Sequence, residues 1–147
     1  MPIRRKAREI ALQVLYQLDI GQGNPKEVLD LHWENFRPSP QTWDYCKRLI
    51  DGVKIHQAEI DRLIEENSEH WTLKRMAVID RNILRMAVFE LLYCPDIPFK
   101  VAVNEAIELA KKFSTDESFA FINGILDQIH GRKEGKSLPA TLATEKP

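Results

Sequence analysis

The sequence predicts an all-α protein of about seven helices, on three observations. Apolar residues recur at helical spacing over most of the chain. Only six glycines are spread through 147 residues. The segment Asp80 to Tyr93, DRNILRMAVFELLY, is apolar nearly all the way round, with Ile83, Leu84, Met86, Ala87, Val88, Phe89, Leu91 and Leu92 covering its circumference. A helix of that kind has to be enclosed by other helices. Asp80 is placed to cap its start, and Pro95 forbids its continuation. Its two charges, Arg85 and Glu90, each require an opposite charge on a neighbouring helix.

The remaining elements follow in order. The first helix is read from Ile3 to Ile20, ended by Gly21 and Gly23. Centring its buried face on Ala7 brings Ile3, Ile10, Ala11, Val14 and Leu18 onto that face. Arg5, Leu12 and Tyr16 fall opposite, with Lys6 and Arg8 flanking. Arg4, Arg5, Lys6 and Arg8 crowd the first turns, where the helix dipole is already positive. Local stability does not explain that cluster; an anionic partner would, and a frayed, solvated terminus is the plain alternative.

Asn24-Pro25 opens a second, short helix with Val28, Leu29, Leu31 and Trp33 as its apolar side. Ser39 caps a long third helix, Gln41 to Asn67, whose stripe is Trp43, Cys46, Ile50, Val53, Ile60 and Ile64. Gly52 in its middle marks a close crossing or a slight bend. A brief turn at Trp71 to Met76 precedes the central helix. A sixth helical unit spans Val101 to Phe113, with Lys111 and Lys112 suited to its C-terminal end. Asn104 and Glu105 in its first turns are possible partners for Arg85. The last helix starts at Ser114-Thr115-Asp116-Glu117, buries Phe119, Ile122, Ile125, Leu126 and Ile129, and ends at Gly131; Phe121 lies at the edge of its stripe. One helical domain is expected over 1–132 and a flexible tail over 133–147, where Gly, Pro, Ser, Thr and charge mix without period.

Composition narrows the function. A net charge of −1 gives no global attraction for polyanions, so a nucleic-acid site has to come from local clustering. Two cysteines, Cys46 and Cys94, sit in apolar helical contexts and read as reduced core residues of a cytoplasmic protein. No apolar run reaches membrane-spanning length, and the basic N-terminus lacks the apolar core of a secretory signal. His32, His56, His70 and His130 are scattered without metal spacing, and no phosphate loop, GxGxxG or HExxH is present. Glu65-Glu66 and Asp116-Glu117 point apart on a helix rather than forming an acid–base pair. A catalytic constellation is therefore not expected, nor a cofactor or metal.

Four stretches together resemble the NusB family of bacterial transcription antitermination factors. They are RRKAREIALQVLYQLD, WTLKRMAVIDRNILRMAVFELL, IPFKVAVNEAIELAKKFS and FAFINGILDQI, in that order along the chain. The resemblance implies two packed helical bundles, a three-helix N-terminal part and a C-terminal part built on the central helix. It implies a non-enzymatic protein that binds boxA RNA of nascent ribosomal-operon transcripts and pairs with NusE, a ribosomal small-subunit protein. That pair would help assemble an antitermination complex on RNA polymerase. Carried over by motif, the RNA contacts are Arg5, Lys6, Arg8, Gln13, Tyr16, Glu117, Ser118 and Phe121, and candidate NusE contacts are Asp80 and Phe113. Lys6 replaces a common arginine and loses its planar fork. The physical reading agrees: single strands are gripped by rings beside a basic groove. Tyr16 can equally cover an inter-helix seam, and Phe121 can be core. Two other functions fit the resemblance: an accessory domain of an RNA cytosine methyltransferase, which would require this chain to be a fragment, and a protein-only scaffold. The resemblance also leaves a homodimer open, since some family members dimerise through the surface that otherwise meets RNA.

Overall fold

Helical periodicity is realised in seven α-helices and one 3-10 turn among the described residues, 3–69 and 71–133 of a computed structural model. They are α1 (Ile3–Asp19), α2 (Pro25–Phe36), α3 (Pro40–Ile55), α4 (Gln57–Glu66), the turn Leu73–Arg75, α5 (Val78–Tyr93), α6 (Phe99–Phe113) and α7 (Glu117–Lys133). The helix of α7 passes Gly131 and includes Lys133; residues 134–147, where the rest of the tail is expected, and His70 lie outside the described residues.

The enclosed helix is α5. Every residue from Asn82 to Leu91 is buried, because α1, α3, α4, α6 and α7 all pack on it. The helices form two groups that share it: α1, α2 and α3 on one side, α4, α6 and α7 on the other. Both α5 charges have the partners that burial demands. Glu90 receives Arg8 Nε at 3.0 and 3.2 Å and a hydrogen bond from Tyr45. Arg85 forks onto Asp61 of α4 at 2.8 and 3.1 Å and reaches Asp19 of α1 at 3.0 Å. Its partners are thus Asp61 and Asp19, not Asn104 or Glu105.

Several local expectations change in the tertiary context. The third helix is two helices, broken at His56 (φ −104°, ψ 14°), whose ring stacks on Tyr93 at 3.8 Å. Just before the break α3 crosses α5: a Cβ on Gly52 would lie 2.2 Å from the Phe89 ring. After it, α4 packs on α5 and α7, delivering Ile60 and Ile64 fully buried while Ile55 is left 75% exposed. Leu12, expected outward, is sealed because α1 is covered by α2, α3 and α5 rather than along one face. On α2 the buried residues are Val28 and His32, and Leu31 and Trp33 face solvent. Asn24 and Ser39 do cap α2 and α3, accepting from the backbone of Glu27 and Thr42 at 2.9 and 3.2 Å. Asp80 caps nothing: α5 starts at Val78 with Ala77 at its cap position.

Candidate nucleic-acid interface

Spacings of four and three residues put Arg5, Glu9, Gln13 and Tyr16 along one edge of α1. The C-terminal half of α6 lies beside that edge. Arg5 donates to Glu105 twice, Nε at 3.1 Å and Nη2 at 2.7 Å. Lys112 reaches Glu9 at 3.1 Å, and Lys111 reaches Glu108 at 3.5 Å. These residues line a depression of about 220 Å³. Lys112 leads to Phe113, which enters a second depression of about 230 Å³ together with Gln13, Tyr16, His32 and Ile79. Ile79 leads to Asp80, at the floor of a third of about 260 Å³ shared by Trp71, Arg75, Glu117, Ser118 and Phe121. The three share no lining residue but are linked by consecutive ones, Lys112 to Phe113 and Ile79 to Asp80, and together they form a discontinuous strip from the start of α1 to the first turns of α5 and α7.

Most residues carried over by motif lie on this strip, but not all present their side chains to it. Tyr16 is 36% exposed and Phe121 is half-buried, so both rings have an accessible part. Gln13 is tied at 3.2 Å to the Glu9 carbonyl. Glu117 is exposed. Lys6 turns its ammonium over the Phe36 ring of α2, 5.2 Å from the centroid, and lines none of the three depressions.

Arg8 is displaced from the surface role assigned to it. It is 4% exposed, chelating Glu90 with Nη2 at 2.9 Å and placing Nη1 3.5 Å from Glu105. Burial makes it a structural cation, since a phosphate could reach it only by displacing a core carboxylate. Ser118 is likewise 5% exposed, its hydroxyl donating to Asp80 at 2.8 Å. Ser114 donates to the other Asp80 oxygen at 2.6 Å. Asp80, itself 8% exposed, therefore clamps the α6–α7 connection instead of offering a free carboxylate to a partner. Phe113 is half-buried and belongs to the Tyr16 depression.

The basic start of α1 acquires an internal explanation. Arg4 meets Asp96 at 3.0 Å, Arg5 meets Glu105, and Arg8 meets Glu90. Carboxylates from α5, α6 and the loop between them offset the cations that the helix dipole disfavours. Hydrogen bonds from Arg5, then the charge of Arg8, outweigh burial and hold the Glu105 carboxyl below its ordinary value. The same Glu105 bond raises Arg5 further.

Sequence reasoning missed Lys111, Lys112, Trp71 and Arg75 on the strip. The paired lysines read only as complements to a helix end, and Trp71 and Arg75 as part of a turn. Their one available signal was the mixing of rings and cations in WTLKR and AKKF, which gains meaning when α1 is laid alongside. Among the described residues no cluster of His, Cys, Asp and Glu could hold a metal, and no helix is long and apolar enough to cross a membrane.

The model of the NusB family matches residues 5–131. A transcription antitermination protein NusB of Desulfatibacillum aliphaticivorans is 50% identical over 127 residues, covering 86% of this chain and 89% of the relative. The crystal form of T. maritima NusB superposes with a TM-score of 0.82 at 36% identity, covering 94% of this chain and 99% of that one. A structure of antitermination factors NusB and NusE in complex with dsRNA gives a TM-score of 0.80 at 30% identity over 88% of this chain and 97% of that one. Relatives alike over nearly their whole length, solved NusB structures of the same fold and a shared sequence model together establish that the chain belongs to the NusB family.

Proposed function

We propose that this chain is a cytoplasmic transcription antitermination factor that holds boxA RNA on the α1–α6–α7 strip and acts with NusE. One observation carries the reading: Arg5, Gln13 and Tyr16 of α1, and Phe121 of α7 more than a hundred residues further along the chain, line three depressions linked through consecutive residues of α5 and α6. A strip with cations at one end and two accessible rings further along suits an unpaired strand, phosphates on the cations and bases on the rings. The relative solved with NusE and dsRNA supports an RNA-and-protein adaptor of this shape. Antitermination at ribosomal RNA operons, through a complex on RNA polymerase, is the role that follows. The two free, buried cysteines fit a reducing compartment. Asp80 and Phe113, the residues expected to meet NusE, line the same depressions as Phe121 and Tyr16, so NusE is proposed to bind beside the RNA strip, with Asp80 acting only through the Ser114–Ser118 segment it clamps.

Anisotropy titration of boxA RNA, scrambled single-stranded RNA and an RNA duplex, each with and without NusE, tests the reading. Preference for boxA that rises with NusE is the expected result. Equal affinity for boxA and scrambled RNA with NusE still bound would leave only the protein scaffold. Light scattering on the same samples reports whether a homodimer competes.

A further inference from the structure

Every cation along the α1–α6 part of the strip already has a carboxylate of its own. Arg5 forks onto Glu105, Lys112 pairs with Glu9 and Lys111 with Glu108, at 2.7, 3.1 and 3.5 Å. The cations keep much of their surface: Arg5, Lys111 and Lys112 side chains are 43%, 53% and 58% exposed. Glu105 and Glu9 are more covered, at 15% and 18%. Glu105 and Glu9 are thus set into the groove wall with Arg5 and Lys112 over them, whereas Glu108 is exposed like its lysine. Behind Glu105, Arg8 pairs closely with Glu90 at 2.9 Å and lies 3.5 Å from Glu105, so Arg5 is the exposed cation at that end whose charge Glu105 neutralises.

We infer that Glu105 and Glu9 are specificity determinants: internal counter-ions that suppress attraction for RNA backbone as such, so that only a strand whose bases also engage the rings is held. This deepens the RNA reading above and rests on it. A phosphate approaching Arg5 meets a guanidinium whose Nε–Nη2 edge is occupied, with a carboxylate directly behind it. It gains less than from a free arginine, because the attraction is offset by repulsion from Glu105 a few ångströms further away. Phosphate contacts carry no sequence information, whereas stacking and base-edge contacts do. Damping the first leaves discrimination to the second. The net charge of −1 is consistent with a protein that does not rely on bulk attraction for polyanions.

Glu105→Gln and Glu9→Gln separate this from a positioning role, since glutamine keeps an acceptor for the neighbouring cation and removes the charge. Affinity for scrambled single-stranded RNA is measured at two salt concentrations, with boxA RNA alongside. Each variant is expected to bind scrambled RNA several-fold more tightly than the parent, with a smaller gain for boxA, so that the ratio between them falls. The slope of log affinity against log salt should steepen by about 0.7 for each cation released to a phosphate. Unchanged or weaker binding of scrambled RNA by both variants overturns the inference, because the acids would then be orienting the cations or inert. Glu9→Gln lies away from Arg8, so it decides the matter if Glu105→Gln disturbs folding. Tyr16→Ala in the parent background is run in parallel. Loss of boxA preference there, with no effect of the glutamines, rejects the counter-ions and retains the RNA surface. No preference in the parent and no effect of Tyr16→Ala rejects the surface itself, and the inference with it.

Discussion

Glu90 is a carboxylate at 2% exposure in the middle of an apolar helix, and it survives there because Arg8 and Tyr45 both point at it. Removing one member of such a group leaves the other charge buried and unpaired. Glu90→Ala is accordingly expected to destabilise the fold by about 3–5 kcal/mol, read from urea denaturation. An unchanged midpoint would mean that Arg8 finds water or Glu105 as a sufficient substitute. The tyrosine is affected in turn: burial, then the charge of Glu90, pushes the Tyr45 hydroxyl well above its ordinary value. Gly52 is the second residue where one atom decides. A methyl group there would lie 2.2 Å from Phe89, whose ring is itself packed near His56 and Tyr93. Gly52→Ala should cost about 1–3 kcal/mol by overpacking, with partial recovery in Gly52→Ala/Phe89→Leu. Gly52 was recognisable in the sequence as a crossing or a bend. Which residue it crosses was not, since Phe89 is distant in the chain and identical in pattern to its apolar neighbours.

At the scale of elements, α1 is fastened to α5 by charge as well as by packing. Asp19 at the end of α1 takes Arg81 at 2.8 and 3.0 Å, Asn82 at 2.9 Å and Arg85 at 3.0 Å. Burial alone would raise the Asp19 carboxyl, but hydrogen bonds from Arg81 and Asn82 and the charges of Arg85 and Arg81 overcome it and hold it below 3.8. A carboxyl lowered in the folded state stabilises above its unfolded pKa, and that stability is lost as pH falls through the folded value. The ordinary values of 3.8 for Asp19 and 4.5 for Glu105 set the upper edge of the window. Stability should therefore be flat with respect to these groups near neutrality and decline as pH drops below about 4.5. Asp19→Asn should be less stable at pH 7 and show a shallower decline in acid; denaturant midpoints at pH 7, 4 and 3 check it. The caps of α2 and α3 and the extent of α5 and α6 were largely legible, because capping and period are local. The break at His56 was not, because it answers to where α4 must lie relative to α5 and α7.

For the whole molecule, the strip from Arg5 to Phe121 is the surface proposed to hold RNA. Arg5→Ala together with Tyr16→Ala is expected to remove boxA binding while leaving helical content and thermal unfolding nearly unchanged. Neither side chain is in the core, and each stacked ring contributes about 1–3 kcal/mol. Retained affinity in a gel shift would move the RNA to another face. For Arg8, by contrast, substitution should first appear as lost stability, so reduced RNA binding in such a variant would not identify a contact. That division between Arg5 and Arg8 is invisible in RRKAR, where both are cations near a helix start.

What the amino-acid order determined by itself was the local and the periodic: helix for nearly every element, the enclosure of Asp80 to Tyr93, the need for partners to Arg85 and Glu90, and the motifs of the NusB family. What only the tertiary structure decided was which charges face inward and which carboxylate answers each. Period reports the direction of a side chain around its own helix, whereas the partner it meets depends on how helices distant in sequence cross. Glu105 shows the difference. On its own helix it is an acid near the first turns of α6, with nothing to separate it from Asn104 as a partner for Arg85. Against α1 it becomes the counter-ion of Arg5, beside the edge that carries Tyr16.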